Sequence, residues 1–467
     1  MYLDLYPARK TKSFFKVCHH IFAGIDTIKI VKKGENNKQP KRKIRFWPIL
    51  LIIIMIPLIT LGSVLGAHAL KEKIDFLKLL RQGKYLVLFQ NNAEMRPSGG
   101  FIGSFAIVEL QDYKIKSINF NTNIYKLDKA FSQSHIIPPP APLDEISGGK
   151  WALRDANFAV SFPEAAQKIE WFYEAESGEK VDGVIAINAS VVQDLLKIVG
   201  PIDLPQYQTT ITAENFFENL ASKIEVEYFL DQGNKITNEP KSILKDMMPK
   251  LFANITDISK IQIAKLIYEE LSQKQILLYT NNTEVQKAIL GESWGGEIKD
   301  YDGDYLTVNN ANIAEASGQE VSGKSSLKIK EAINYKVEEK EGLLWGNLNL
   351  TRSHSGSYEW PDGINHNWTR ILVPKGTLLK QAELNGKNIL DQVLIGEEAG
   401  KTSFALWIQT APGTSNVLNL SYLLPLNDNN YQLLVQKQPG NLGDDLQVSK
   451  NGQMLFDGVL DTDKEIK

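Results

Sequence analysis

Only one cysteine, Cys18, occurs in 467 residues. Any unit beyond it has no internal disulfide and is held by packing and hydrogen bonds alone. No Cys/His set with zinc-ligand spacing occurs in the chain, so no zinc site is readable. No repeat with a period of 20–50 residues is apparent. Positive charge is scarce where most of the chain lies. Residues 1–45 carry twelve Lys/Arg against three Asp/Glu, a surplus of nine, and the chain total of −3 leaves −12 for residues 46–467. An acidic body argues against nucleic acid as its partner. A basic arm ahead of it suits an anionic phospholipid headgroup layer.

What the chain does have is one long apolar run. Phe46–Leu70, FWPILLIIIMIPLITLGSVLGAHAL, is 25 residues free of Asp, Glu, Lys and Arg. As a helix it measures about 37 Å at 1.5 Å per residue, more than the roughly 30 Å hydrocarbon core of a bilayer. Pro48 falls in the first turn, where its missing N–H costs little, and Pro57 kinks the span. A cleaved signal peptide fits less well, because the basic lead is long and the apolar core exceeds the usual 7–15 or so residues. Lys41-Arg42-Lys43 and Arg45 precede the run. The positive-inside rule therefore puts the N-terminus in the cytoplasm and residues 71–467 outside. The expectation is a single-pass protein of the cell membrane, with the lipid bilayer as a partner. It has a basic cytoplasmic arm over 1–45, a transmembrane helix over 46–70, a stem helix over 71–84 and an extracytoplasmic body.

Within the body, residues 85–315 read as one α/β domain. Strand Tyr85–Phe89 is followed by a loop, NNAEMRPSGG, and by strand Phe101–Leu110. Lys114–Phe120 alternates and pairs with the preceding strand across Gln111-Asp112-Tyr113. PPPAP at Pro138–Pro142 marks an irregular loop. Pro163 opens a helix over 164–175 with Ser161 as its cap. VDGVIAIN (181–188) is a buried strand and 189–200 a helix closed by glycine. Helices follow over 213–229 and 242–271, then a strand over 275–280 and a helix over 282–290. Such alternation implies a mixed sheet covered by helices. From residue 327 to 467 short alternating runs separated by turn residues predict an all-β sandwich, with the border in EASGQEVSGKSS, 315–326.

Two loops could carry chemistry. In the first, Gly99 and Gly100 can turn backbone N–H groups toward an anion, Arg96 offers a fixed guanidinium fork and Ser98 a hydroxyl. Asn91 can brace this loop. The stretch RPSGG lacks the spacing and the lysine of a phosphate-binding G-x-x-x-x-G-K-[ST] loop, and Ser98 has no His or Lys neighbour to make it a nucleophile. The bland alternative is a tight turn with Arg96 paired to an acid such as Glu94. In the second loop, LRDANF, Arg154 could add a second cation, Asp155 could hold Mg²⁺ and Asn157 could bind ligand; a local Arg–Asp pair is the alternative. Trp345, Trp360, Trp368 and Trp407 could form a carbohydrate platform, although core packing is the simpler role.

LFQNNAEMRPSGGFIGSF, LRDANFAVSFPEAA and VDGVIAINASVVQDLLKIVGPIDLP together resemble a bacterial envelope family known as domain of unknown function 4012. That family in turn looks like a relative of the LytR-CpsA-Psr proteins, which are membrane-anchored and transfer glycopolymers from a polyprenyl-diphosphate carrier to the cell wall. The resemblance implies a LytR-CpsA-Psr-like mixed sheet. It also implies a site in which Arg96, Arg154 and Asp155 act on a diphosphate with Mg²⁺ as cofactor, and Asn91, Ser98, Gly99, Gly100 and Asn157 contact the ligand. The family's Arg-Ser-Asp stretch meets Ser98-Gly99 where its Asp is expected, and its Pro-Arg-Asp motif meets only Asn119–Asn123. Two readings stay open. One is a phosphotransferase-type enzyme acting on a polyprenyl-linked glycan or cell-wall polymer; the other is a non-catalytic surface scaffold with a structural GG loop.

Overall fold

The first strand, β1 (Gln82–Arg96), is apolar over Tyr85–Phe89 because both of its faces are covered. Tyr85 and Val87 enter one core, Leu86 and Leu88 the other. β2 (Gly99–Gln111) returns antiparallel to it, and β3 (Lys114–Asn121) forms the expected hairpin with β2. β4 (Gly183–Asn188) runs parallel to β1. β5 (Ile202–Leu204) and β6 (Thr209–Ile211) make a small separate ladder, and β7 (Ile276–Thr280) closes the main sheet in the order β3-β2-β1-β4-β7.

The computed structural model describes residues 82–112, 114–230, 241–255, 258–313, 324–426 and 431–467. The basic arm, the transmembrane helix and the stem up to residue 81 lie outside the described residues. Gln82, Gly83 and Lys84, expected in the stem helix, are instead the start of β1. Among the described residues no helix is long and apolar enough to cross a membrane.

Helices cover both faces of the five-stranded sheet. Phe162–Ser177 packs Phe162, Ala166, Ile169 and Phe172 beneath one face, with Pro163 in its first turn and Gly178 closing it at φ 75°. Ser161 sits at its N-cap without making a side-chain cap bond. The other face is covered by Ala189–Val199, Ser242–Ile255, Lys260–Ser272 and Thr283–Gly291. The single helix expected over 242–271 is thus two helices. Ile124–Ser132 is a helix that the sequence reading did not foresee. PPPAP is not wholly irregular either: Ala141–Ser147 is a short helix with a proline in its first turn, where no N–H is missed.

The β-rich part begins earlier than residue 327. β8 (Asp304–Asn312) precedes the stretch 315–326 yet belongs to a sandwich sheet. It is followed by β9 (Ile329–Lys340), β10 (Leu343–His354), β11 (Asn365–Val373), β12 (Leu378–Leu384) and β13 (Lys387–Asn388). Then come β14 (Leu394–Glu398), β15 (Lys401–Thr410), β16 (Ser415–Leu423) and β17 (Leu433–Val435). β18 (Asp444–Lys450), β19 (Gln453–Leu460) and β20 (Lys464–Ile466) complete it. A seven-stranded sheet, β13-β12-β16-β10-β9-β18-β19, faces a six-stranded one, β14-β15-β11-β8-β17-β20, over one core that holds Leu348, Tyr335 and Leu420 from the first and Leu306, Ile371 and Phe404 from the second. The fold is therefore mixed α/β with a β-rich part. The four tryptophans form no common platform: Trp345 is on the seven-stranded sheet, while Trp368 and Trp407 meet edge to face on the six-stranded one, ring centroids 5.0 Å apart.

Candidate functional site

The segment read as a loop is mostly strand. β1 runs on to Arg96, Pro97-Ser98 make the turn, and β2 starts at Gly99. Asn91 pairs with Phe101 and Met95 with Gly100, so Asn92–Glu94 bulge out of the ladder. The Asn91 side chain accepts the Ala93 N–H at 3.1 Å and shapes that bulge. A Cβ on Gly100 would lie 2.2 Å from the backbone carbon of Asn91, and one on Gly99 (φ +128°) would lie 2.2 Å from Oε1 of Gln90. Close packing of backbone on backbone therefore requires glycine at 100, while at 99 it is the positive φ and the adjoining Gln90 side chain that do. The Gly100 N–H donates to Oδ1 of Asn188 at 3.0 Å, so the acceptor it faces is part of the protein.

Arg96 is 1% exposed. Its Nη1 donates to the carbonyls of Met95 (3.2 Å) and Asn312 (2.8 Å), and its Nη2 to Glu94 (2.8 Å) and Asp155 (3.5 Å). Its guanidinium carbon lies 5.3 Å from the centroid of the Phe101 ring. Burial of a guanidinium is tolerated because carboxylates and carbonyls surround it.

Asp155 bridges the two arginines. One carboxylate oxygen faces Arg96, and the other accepts from Nε of Arg154 at 3.2 Å. Arg154 reaches on to Asp128 at 3.2 Å. Asp128 in turn adjoins Glu176, which accepts the Leu153 N–H at 3.0 Å. Burial pushes the Asp128 carboxyl up to about 6 against the pull of Arg154, and burial with the added charge of Asp128 pushes Glu176 up to about 8. Burial thus favours the protonated form of both carboxyls, Glu176 the more strongly, at the end of a chain in which carboxylates and guanidinium groups alternate. Both oxygens of Asp155 face guanidinium groups, which is a poor start for Mg²⁺. Among the described residues no group of three or more His, Cys, Asp or Glu could hold a metal.

The remaining candidates clasp the hairpin tip. Ser98 donates to the Asn157 carbonyl at 2.9 Å, and Asn157 Nδ2 donates to the Gly100 carbonyl at 2.7 Å. On the opposite side the sandwich grips the same turn: Asn309 donates to the Pro97 carbonyl (2.9 Å), Gln438 to the Arg96 carbonyl (3.1 Å), and Asn92 to the Gly440 carbonyl (3.0 Å). The structure thus gathers Arg96, Arg154, Asp155, Asn157, Ser98 and Gly100 into one place, as a seam between the α/β sheet and the sandwich. Beside the tip lies a cavity of about 90 Å³ bordered by Met95, Asn310, Glu331, Arg352 and Gly440. At about 30 Å³ each that is space for roughly three waters, far below a polyprenyl chain.

Asp128, Glu176, Asn188, Asn309 and Gln438 were missed in the sequence. Asparagines dense in a strand-like run, TVNNAN (307–312), were the available signal. Two motif spacings also occur in the chain, the first against the expectation that no G-x-S-x-G spacing occurs. GESWG (291–295) has nucleophile-elbow spacing, but Ser293 follows the helix Thr283–Gly291 and does not sit on a strand-to-helix turn. GQEVSGKS (318–325) has phosphate-loop spacing and residues 318–323 lie outside the described residues; it leads into the four-residue 3₁₀ turn Ser325–Lys328 and then β9, and Ser325 accepts from Asn312 and Asn365. Neither has the context its chemistry needs.

Comparison with known proteins places the seam's α/β half. Residues 82–224 match the family described as protein of unknown function (DUF4012). This DUF4012 segment holds β1 to β6 and all of the residues singled out in the two loops. No curated protein matches the chain. Among solved structures, a Legionella pneumophila protein assigned to nutrient binding is 10% identical, with 31% of this chain and 54% of that one covered at a TM-score of 0.21. An M1 zinc metallopeptidase from Deinococcus radiodurans is 15% identical, with 30% and 38% covered at a TM-score of 0.14. The chain thus spans about half of the first and less of the second, and at these scores neither likeness carries an argument.

Proposed function

We propose that this protein is a membrane-tethered, non-catalytic scaffold of the cell envelope, in which the DUF4012 segment serves as a rigid base for the β-rich part. The observation that carries the reading is the state of Arg96. A transferase would need that guanidinium on a diphosphate, and here it is buried with both terminal nitrogens donating to protein oxygens. Electrostatic catalysis requires donors aimed at a site a substrate can occupy. Gly100 is spoken for by backbone packing, Gly99 by its positive φ beside Gln90, and Asp155 by two arginines, so the same residues that suggest a phosphate grip serve as a clamp. The LytR-CpsA-Psr resemblance is then one of ancestry without the chemistry, in keeping with Ser98-Gly99 where an aspartate is expected. The tether is the apolar run 46–70, with the basic arm 1–45 in the cytoplasm.

The test uses the full chain in lipid nanodiscs with Mg²⁺, a radiolabelled polyprenyl-diphosphate glycan and cell-wall fragments as acceptor. No label transfer is expected, with wild type and Arg96→Lys alike. Transfer by the wild type that Arg96→Lys abolishes while the fold stays intact overturns the scaffold reading.

A further inference from the structure

The outward face of the seven-stranded sheet has a composition that strand physics does not explain. In β9, β10, β16 and β18 the inward positions are apolar or aromatic: Ile333, Tyr335, Leu348, Leu350, Leu418, Leu420. The outward positions between them are amides. One rung runs straight across five strands by register, Glu383–Asn419–Asn349–Asn334–Gln447. The neighbouring rung is Gln381–Ser421–Asn347–Lys336. Strands lie about 4.8 Å apart and alternate residues about 6.7 Å apart, so the two rungs make a regular grid of hydrogen-bonding groups. Over it lies an open trough of about 430 Å³.

Asparagine is depleted in strands, and a merely solvated face gains stability from Thr, Val or Tyr. Four asparagines in three central strands therefore work against the sheet that carries them. They are held in place by each other: Asn349 donates to Asn419 at 2.7 Å, Ser421 to Asn347 at 2.8 Å and Asn334 to Gln447 at 3.1 Å. Each amide has two donors and an acceptor oxygen with two lone pairs, so such links leave capacity for both kinds of partner. Hydroxyl groups are such partners. The formal charges of the two rungs, Glu383 and Lys336, cancel, which disfavours a polyanion. One rung further along, Trp345, Leu423 and Leu378 stand side by side by register, and Leu378 is 56% exposed, giving the grid an apolar shelf.

We infer that this face binds a neutral, hydroxyl-rich polysaccharide chain, its hydroxyls on the amide grid and an apolar sugar face on the Trp345 shelf. The inference builds on the scaffold reading and names the class of partner the scaffold holds.

The experiment uses the full chain in nanodiscs and measures binding of chitohexaose, cellohexaose and maltohexaose, with a sulfated heparin-type chain as the polyanion control. At least one neutral hexasaccharide binds, and the polyanion does not. The double variant Asn347→Thr/Asn349→Thr lowers that binding about tenfold or more, as expected for two lost amide contacts. Its melting temperature is unchanged or higher, because threonine is the better strand former. A purely structural ladder gives the opposite, lower stability with unchanged binding. The inference is overturned by that result, by the absence of binding to any neutral probe, by binding of the polyanion alone, or by a dimer that the same substitutions break. Label transfer in the nanodisc assay described above refutes the scaffold without touching these outcomes.

Discussion

Arg96→Met is the sharpest perturbation of the seam. Methionine keeps an unbranched stem of similar length and removes the charge, so the change isolates what the guanidinium holds. The Asn312 carbonyl on β8 loses the donor reaching it from β1, and Glu94 loses its partner. Asp155 keeps Arg154. Removing one member of a buried ion-pair network costs about 3–5 kcal/mol. At roughly 2.1 cal/mol/K per residue, cooperative unfolding of residues 82–467 carries about 0.8 kcal/mol/K, so the melting temperature drops by about 4–6 °C. Differential scanning calorimetry of the full chain in detergent reads the drop, and protease digestion reads earlier release of the β-rich part. A variant that melts within about 1 °C of wild type but no longer binds a polyprenyl diphosphate would mean that Arg96 serves a ligand and not the seam.

Gly100→Ala forces a Cβ into the Asn91 backbone, and since backbone cannot swing aside the chain should accumulate poorly and melt lower than Arg96→Met; equal expression and melting would contradict the packing argument. Glu176 has a folded pKa of about 8, above its ordinary 4.5, so its contribution is complete below the ordinary value and is lost as pH rises through 8. Between about pH 5 and 8 the wild type should therefore lose melting temperature, and Glu176→Gln, which cannot ionise, should lose less; parallel curves would rule out Glu176 as the titrating group. Cys18, the only thiol, reports topology: a membrane-impermeant maleimide should label it in permeabilised cells and leave it untouched in intact ones. Labelling in intact cells reverses the orientation proposed here.

Much of the α/β part was legible because its signals are local. A glycine follows the helices Phe162–Ser177 and Ala189–Val199, and β4 is a continuous apolar run, all of which single-sequence periodicity detects. What escaped was decided by distant partners. β1 extends through Asn91–Arg96, six residues without strand propensity in the sense of Val or Ile, because β2 beside it and the sandwich beyond it supply its bonds. β8 was hidden by Asn309, Asn310 and Asn312, which lower strand propensity yet are buried against other polar groups. The convergence of the two candidate loops shows the same limit from the other side. Residue types compatible with phosphate are also those that satisfy one another, and only burial decides between the two.

Residues 433–466 supply the outer strands on one side of both sandwich sheets. β17 lies parallel against β8, β18 lies parallel against β9, and Gln438 and Gly440 between them reach back to the hairpin formed some 340 positions earlier. The consequence is one of timing. While the chain is being made, the seam cannot close fully until this late segment arrives, so the β1–β2 turn, already held by Asn157 and Asn309, lacks its contacts to Gln438 and Gly440 for almost the whole of synthesis. A chain stopped before residue 433 also lacks β17 to β20, so β8 and β9 each keep one edge unpaired and the turn stays open on the side of Gln438 and Gly440.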